Sequence, residues 1–545
     1  MRTSVKITSF FFLCIGFNAM AQNPNPMGEE EINVLKPYKP VLSDAIKISS
    51  LPGSDTSKPL PIQLKYEIAP KKLTTKVEVE PIKPLKLKDE TVPQLFKNFV
   101  KLGLGNYTTP YGELFINSAR AKDYMVGFHY NHLSSSGKIP GVGYSGYSKN
   151  LVELYGKKMI DQVVLSGNMY FDRRVNHYYG YNSNDTQPSA DAIRQRYNIL
   201  GGWVQMEGNT KDSTKLQHVI NLHYYNASDL YGQNEDRIKL STQAGTKVPF
   251  AYAQVNLNLD YGNVKQPLQN DLDRTELTLK PTLSKRFDKW QTTGGLNLTE
   301  SFVRSGSTAY FFPELKAQVE LVENLLYGYG SWGQNIEKNA FLDLIDRNPY
   351  LNTDRNYHYT INHKLEGGLK ASLSSQSSFN VTLGYSTVKN LVLFIIDPSA
   401  INKYTVIYDD AKVINLHGEF NHQYSEKIRL IAKADYNHYT LSQEQYAWHL
   451  PNYTGSIGAT YNLGNKIYAK GDIMFYGTRK SKAVDNTAPH TLNRFVDVNL
   501  GVDYRYSKVF SLFLNLNNLF AQRYYIYENY PSQRFNLLAG LTYSF

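Results

Sequence analysis

The stretch that decides the fold is RFNLLAGLTYSF, residues Arg534–Phe545. Phe535, Leu537, Ala539, Leu541, Tyr543 and Phe545 occupy one set of alternate positions, and Asn536, Leu538, Gly540, Thr542 and Ser544 the other. Strand side chains point alternately to opposite faces, so one face of this segment is apolar and aromatic and the other mostly small or polar. Such a strand suits a wall between lipid and an aqueous lumen. RFVDVNLGVDYRYS, residues Arg494–Ser507, repeats the pattern. Val496, Val498, Leu500, Val502, Tyr504 and Tyr506 share one face, and Asp497, Asn499, Asp503 and Arg505 the other. A soluble sandwich produces occasional strands of this kind, but its loops are of similar length at both ends.

Here the connections alternate in length. Tight turns such as Ser425-Glu426-Lys427, Gly464-Asn465-Lys466 and Ser507-Lys508-Val509 are interleaved with longer stretches around Asn176–Ala192, Asn335–Asn356, Asp397–Asp410 and Lys480–His490. Short periplasmic turns and long extracellular loops are the pattern of outer-membrane barrels. Following that register gives about ten turns and eleven loops, hence an all-β, transmembrane antiparallel barrel of roughly 22 strands. It spans residues 98–545, with both ends in the periplasm.

Composition agrees. The 545 residues include 43 tyrosines, whose apolar ring and polar tip suit the boundary between lipid and water. A mean hydropathy of -0.43 does not exclude a membrane, because a barrel strand shows lipid only half of its side chains. No apolar run of about 18 residues follows the N-terminal segment, so no membrane helix is expected. A closed barrel is the other structure that satisfies every backbone group in lipid. The net charge of +11 comes with no dense Lys/Arg cluster of helical spacing, which argues against a nucleic-acid partner.

Two segments precede the barrel. Residues 1–21 read as a signal peptide: Arg2 and Lys6, the apolar FFFLCIGF, then Ala19-Met20-Ala21 before Gln22. A lipoprotein leader cleaved before Cys14 would have a very short apolar core. Cys14 is the sole cysteine, so the mature chain is expected to lack disulfides and thiolate metal sites. Residues 22–97 are rich in Pro and Lys, as in VLKPYKP and VEVEPIKPLKLKDE. Proline at this density disfavours helix and ladder alike, which predicts a mostly unstructured periplasmic tether. Alternatively, Glu30, Ile32, Val34 and Leu35 of EEINVLKP alternate like a segment that adds as a strand to a periplasmic protein partner.

The stretch NLNNLFAQRYYIYENYPSQRFNLLAGLTYSF resembles the end of TonB-dependent outer-membrane receptors. The matching residues are Asn517, Asn518, Leu519 and Phe520, then Tyr524 and Tyr525, then Pro531 and Arg534, and finally Phe545. The resemblance implies an outer-membrane location and a role in transport, with outer-membrane lipids around the barrel. The terminal aromatic resembles the mark by which the outer-membrane assembly machinery recognises its clients, which implies Phe535, Leu537, Leu541, Tyr543 and Phe545 as an assembly signal. The A-M-A-Q junction and the Asn/Lys/Tyr-rich style look like Bacteroidota. One departure stands out: those receptors carry a globular plug before the barrel, whereas here a short proline-broken stretch occupies that place. Glu30–Pro37 has the alternation of a TonB box, as any short alternating stretch would, so energised import is not carried over.

Some outer-membrane barrels are hydrolases, and a catalytic site would require titratable residues that share one face. The near pairs His129/His132, His218/His223, His358/His363 and His417/His422 all have odd spacings. In a strand these send the two rings to opposite faces, so none forms a ready metal or acid–base pair. Asp409 and Asp410 read as a solvated loop tip with at most weak cation affinity. G-x-S-x-G, H-E-x-x-H, P-loop and EF-hand patterns are absent from the sequence. The expectation is a non-enzyme without catalytic, cofactor or metal residues. Two roles remain: part of a passage for solutes or macromolecules, or a non-transporting scaffold or accessory subunit binding partners through its loops and tail. A barrel of this size encloses a leaky lumen, and inward-folded loops or a partner are expected to fill it in preference to the tail.

Overall fold

The computed structural model describes residues 96–545 apart from 119–122, 183, 185–187, 209–214, 268, 305, 354–355 and 485–487. The leader and almost all of the tail, including Glu30, Ile32, Val34 and Leu35, lie outside the described residues.

The first strand, Phe99–Gly105, pairs antiparallel with the last, Asn536–Ser544, from Phe99↔Ser544 to Gly105↔Leu538. That pairing closes a 22-stranded sheet in which each strand neighbours those before and after it in sequence. The alternation read in the sequence is the reason the wall can stand in lipid. In the last strand Leu541, Tyr543 and Phe545 are exposed on the outside. In Phe495–Arg505, the inward Asp497 accepts from the Tyr524 hydroxyl at 2.9 Å and Asn499 Oδ1 from the Asn518 amide at 3.0 Å. Met169, Phe311, Leu365 and Leu416 continue the outer apolar surface on other strands.

The strands of this sheet are joined alternately at the end where the first and last strands begin and finish and at the opposite end. The Ser425–Lys427 turn joins Ala400–Ser425 to Ile428–Leu441. Asp397–Asp410, expected as a loop, is instead a hairpin. Ser377–Asp397 and Ala400–Ser425 run 21 and 26 residues, paired from Leu391↔Asp409 to Ile396↔Tyr404 beyond the Asn390 irregularity. Both arms are rich in β-branched and aromatic residues, and their burial on both faces removes the alternation that marks a lipid-facing strand. Asp409 is accordingly no solvated tip: it is buried and accepts from the Gln443 and Glu444 amides at 3.0 and 2.7 Å. The Lys480–His490 stretch carries a small sheet of Arg479–Ser481 paired with His490–Leu492.

Candidate functional site

The apolar core of this barrel lies where a barrel would otherwise be hollow. Phe341, Leu344, Leu351 and Tyr404 are fully buried; the first three belong to the connection 338–359 and Tyr404 to the outer end of the long hairpin. Phe341 and Leu344 sit on a short helix, Phe341–Arg347, within the loop 338–359. Its buried residues Phe341, Leu344 and Ile345 fall at i, i+3 and i+4, one face of a helical turn. The Asp343 carboxylate accepts from the Ala340 amide at 3.1 Å and holds the first turn. Against this face pack Phe394, Ile396 and Val406 of the long hairpin, Tyr530 of the loop 518–535, and the strand residues Tyr197, Ile199 and Tyr225. At the centre the Tyr350 and Tyr530 rings stack at 3.6 Å, with Tyr179 edge-on to Tyr530 at 4.8 Å.

Polar bonds fix the loop to the wall. The Tyr197 and Tyr178 hydroxyls donate to the Pro349 and Leu351 carbonyls at 3.0 and 2.8 Å. The Asn352 amide donates to the Tyr404 carbonyl at 2.7 Å and the Tyr404 amide to that of Tyr350 at 3.0 Å, so the loop adds a short parallel bridge to the hairpin. His449, in the loop 442–452, is buried between hairpin and terminal loop. Its Nδ1 donates to the Phe394 carbonyl at 2.9 Å, and Nε2 accepts from the Glu528 amide at 3.4 Å. Burial holds this imidazole down to about 4, so the ring is neutral.

A charged latch joins the helix loop to three adjacent strands and to a fourth, Val163–His177. Arg237 forks onto Asp260 at 3.0 and 2.9 Å and reaches Asp343 at 3.3 Å. Lys338 pairs with Asp260 at 3.0 Å and Glu276 at 3.4 Å. Buried Glu235 accepts from the Leu342 amide at 3.0 Å, and Arg174 bridges Asp172 and Asp346. Buried charges are tolerated only when paired and hydrogen-bonded, so the loop and the wall satisfy each other here. The ladder makes the latch: Arg237 stands opposite Gly262, two residues from Asp260 on the same face, and Asp260 stands opposite Glu276 across neighbouring strands. No spacing within one segment announces such a cluster. The helix face was legible in NAFLDLI, residues 339–345, had that loop been read for helical period.

The sequence-predicted residues lie elsewhere. Phe535 immediately precedes the last strand and Leu537 lies near its start; Leu541 and Tyr543 are exposed on its outer face, and Phe545 immediately follows it. Phe545 and Asn98 exchange two backbone bonds of 3.0 Å that join the chain's end to the barrel's start. His129 and His132 part as their spacing requires. The first pairs with Glu113 and Glu153 at 3.3 and 3.5 Å inside the barrel, and the second bonds Asn150 at 2.7 Å on the other face.

A family model described as TonB dependent receptor-like, beta-barrel matches residues 89–519. The chain belongs to that family. Its members are outer-membrane proteins, and this TonB-dependent receptor-like barrel is one of them. Among solved structures it is similar to the FrpB iron transporter of Neisseria meningitidis, with a TM-score of 0.65, 9% identity, and 83% of this chain and 82% of that one covered. The ferric-catecholate import receptor Fiu of Escherichia coli K12 gives a TM-score of 0.62 and 11% identity over 83% of this chain and 82% of that one. A mutant of the ferric enterobactin receptor PfeA of Pseudomonas aeruginosa gives 0.60 and 13% over 82% and 80%. Identities this low establish the shared fold. No curated protein matches the chain.

Proposed function

We propose that this TonB-dependent receptor-like barrel is a non-enzymatic passage for a solute across the outer membrane, shut at its outer mouth by its own loops. The observation that carries the reading is the construction of the seal. It is borne by loops and fastened to the wall through paired charges, chiefly Arg237 with Asp260 and Asp343. The wall elsewhere carries inward charged and polar groups suited to a wet lumen: Glu113 and Glu153 with His129 between them, the pair Lys280–Glu314 at 3.3 Å, and Glu366 accepting from Ser331 at 2.9 Å. A polar wall beneath a loop-borne apolar lid fits a conduit closed at rest. The solved relatives whose names include transport or import supply the analogy.

The test is conductance of the purified mature chain in planar bilayers, with and without low concentrations of urea. A silent barrel that opens reversibly before it unfolds supports a gated passage. A barrel silent until global unfolding is a permanently filled one, which favours the scaffold role.

A further inference from the structure

The connection between Ile467–Tyr476 and Phe495–Arg505 folds into a small hairpin, Arg479–Ser481 paired with His490–Leu492. Alternate residues of a strand share a face. Lys480 turns to the open side and donates to the Thr491 hydroxyl at 2.7 Å. Arg479 and Ser481 turn the other way, into packed protein, and are 2% and 0% exposed. The Arg479 guanidinium lies 5.3 Å from the centre of the Phe495 ring, which stacks on Tyr476 at 4.8 Å and Tyr524 at 4.0 Å. Its Nη1 donates to the Ile526 carbonyl at 3.2 Å and so ties the hairpin to the terminal loop 518–535.

The remaining polar atoms of this face are unanswered. Among the described residues, Arg479 Nε and Nη2 meet no acceptor, and the Ser481 hydroxyl has no partner. All three atoms are buried out of reach of bulk solvent. Nε and Nη2 form one edge of the guanidinium, where two parallel N–H bonds grip an anion together. No carboxylate among the described residues pairs with Arg479, and the neighbours acting on its charge are Tyr476 and Tyr527. Arginine does not shed its proton to escape burial, and an unpaired buried charge is costly. An aromatic face and one carbonyl offset part of that cost. A negative charge from outside the chain would offset the rest.

We propose that Arg479 and Ser481 hold a chloride ion, which fastens the hairpin 479–492 to the terminal loop. A water molecule there would leave the charge uncompensated and would need acceptors for its own hydrogens. An oxyanion such as phosphate carries more lone pairs than the fork and one hydroxyl satisfy. A monatomic anion only accepts, and Nε, Nη2 and the Ser481 hydroxyl can all donate to it. The ion is structural: it holds the guanidinium where Nη1 reaches Ile526. The site stands whether or not the barrel conducts.

The test is hydrogen exchange of residues 479–481 and 525–528 in the full mature chain in detergent. Sodium chloride is compared with sodium gluconate at equal ionic strength, since gluconate is too large for a buried site of this kind. Exchange is about tenfold slower in saturating chloride, and bromide substitutes for it. Arg479→Met keeps a long stem without the donors, and its exchange is the same in both salts. Ser481→Ala removes the third donor and raises the chloride concentration for half protection about tenfold. If Arg479→Met fails to give the heat-modifiable form on a gel, Ser481→Ala decides by that midpoint. Equal exchange of the parent in chloride and gluconate overturns the proposal. So does a chloride effect that persists in folded Arg479→Met, an unmoved midpoint in Ser481→Ala, or protection by phosphate without protection by chloride.

Discussion

Val498, Asn499 and Leu500 are consecutive residues that test the two faces of the wall at single-residue scale. Val498 and Leu500 point to lipid, where Arg near the midplane costs about 2–4 kcal/mol. Asn499 points inward, but its side chain accepts from the Asn518 amide at 3.0 Å. Arg there costs about one hydrogen bond, roughly 1 kcal/mol, whereas Arg at the exposed inward Asp503 is nearly neutral. Urea unfolding in detergent ranks the variants, and equal damage at Val498 and Asp503 would show that the assigned faces are wrong. His449 gives a second test at this scale. Burial, aided by the nearby positive charge of Arg479 and opposed by the Phe394 carbonyl, lowers it from 6.5 to about 4. A loop released from the seal binds the proton more readily than the closed one, so closure is fully stable above about pH 6.5 and weakens as pH falls toward 4. The ceiling of that loss is about 3 kcal/mol. Hydrogen exchange of residues 525–530, corrected for intrinsic rates, therefore loses protection between pH 7 and pH 5. His449→Asn suits the left-handed backbone at φ 61° and should abolish the pH dependence. Equal acid sensitivity in that variant would assign the effect to another group.

Among the elements, the last strand carries the plainest message. It closes the barrel against Phe99–Gly105, and Phe545 stands exposed on its outer face with its ring 5.6 Å from Tyr543. Phe545→Asp puts a charge beside Tyr543 on the outer surface and removes the proposed assembly mark, so the heat-modifiable form in outer membranes should fall several-fold. Phe545→Tyr should restore it, and normal levels of the Asp variant would reject the mark. This strand was legible because each face meets one solvent, and period two then appears directly in the residues. The arms of the long hairpin were not, because Val392, Phe394, Ile396 and Val406 enter a core formed by distant loops, and a segment buried on both faces shows no alternation. Pro398 and Ser399 form the turn of this hairpin, but the whole of Asp397–Asp410 read as one long loop, since Asp409 and Asp410 looked like a solvated tip. The latch was illegible for a different reason. Arg237, Asp260 and Glu276 meet only through strand register, and the contact of Asp343 and Lys338 with them depends on how a loop folds inward.

For the whole molecule, the question is what keeps a lumen of 22 strands from leaking. The described residues answer with a lid, and the latch offers a way to loosen it without dismantling the wall. In Arg237→Met the buried Asp260 keeps Lys338 at 3.0 Å, and the buried Glu235 keeps the Leu342 amide at 3.0 Å but loses the favourable charge of Arg237. Asp343 is 44% exposed and turns to water. The Arg237 tie between wall and helix loop is thus lost while those of Lys338 and Glu235 remain, and part of the buried-charge penalty that usually accompanies such a substitution, about 3–5 kcal/mol, is avoided. The variant should assemble normally on a heat-modifiability gel yet show intermittent openings in planar bilayers where the parent is silent. Raising salt should lengthen the openings, because Arg174, the remaining cation holding Asp346, is partly exposed and open to screening. Silence of the variant under all conditions would mean that apolar packing around Phe341 and Leu344 suffices to seal the mouth, making it a filled scaffold. Steady conductance of the parent would mean that the loops do not seal the barrel alone, and a partner or the tail would then have to complete the closure.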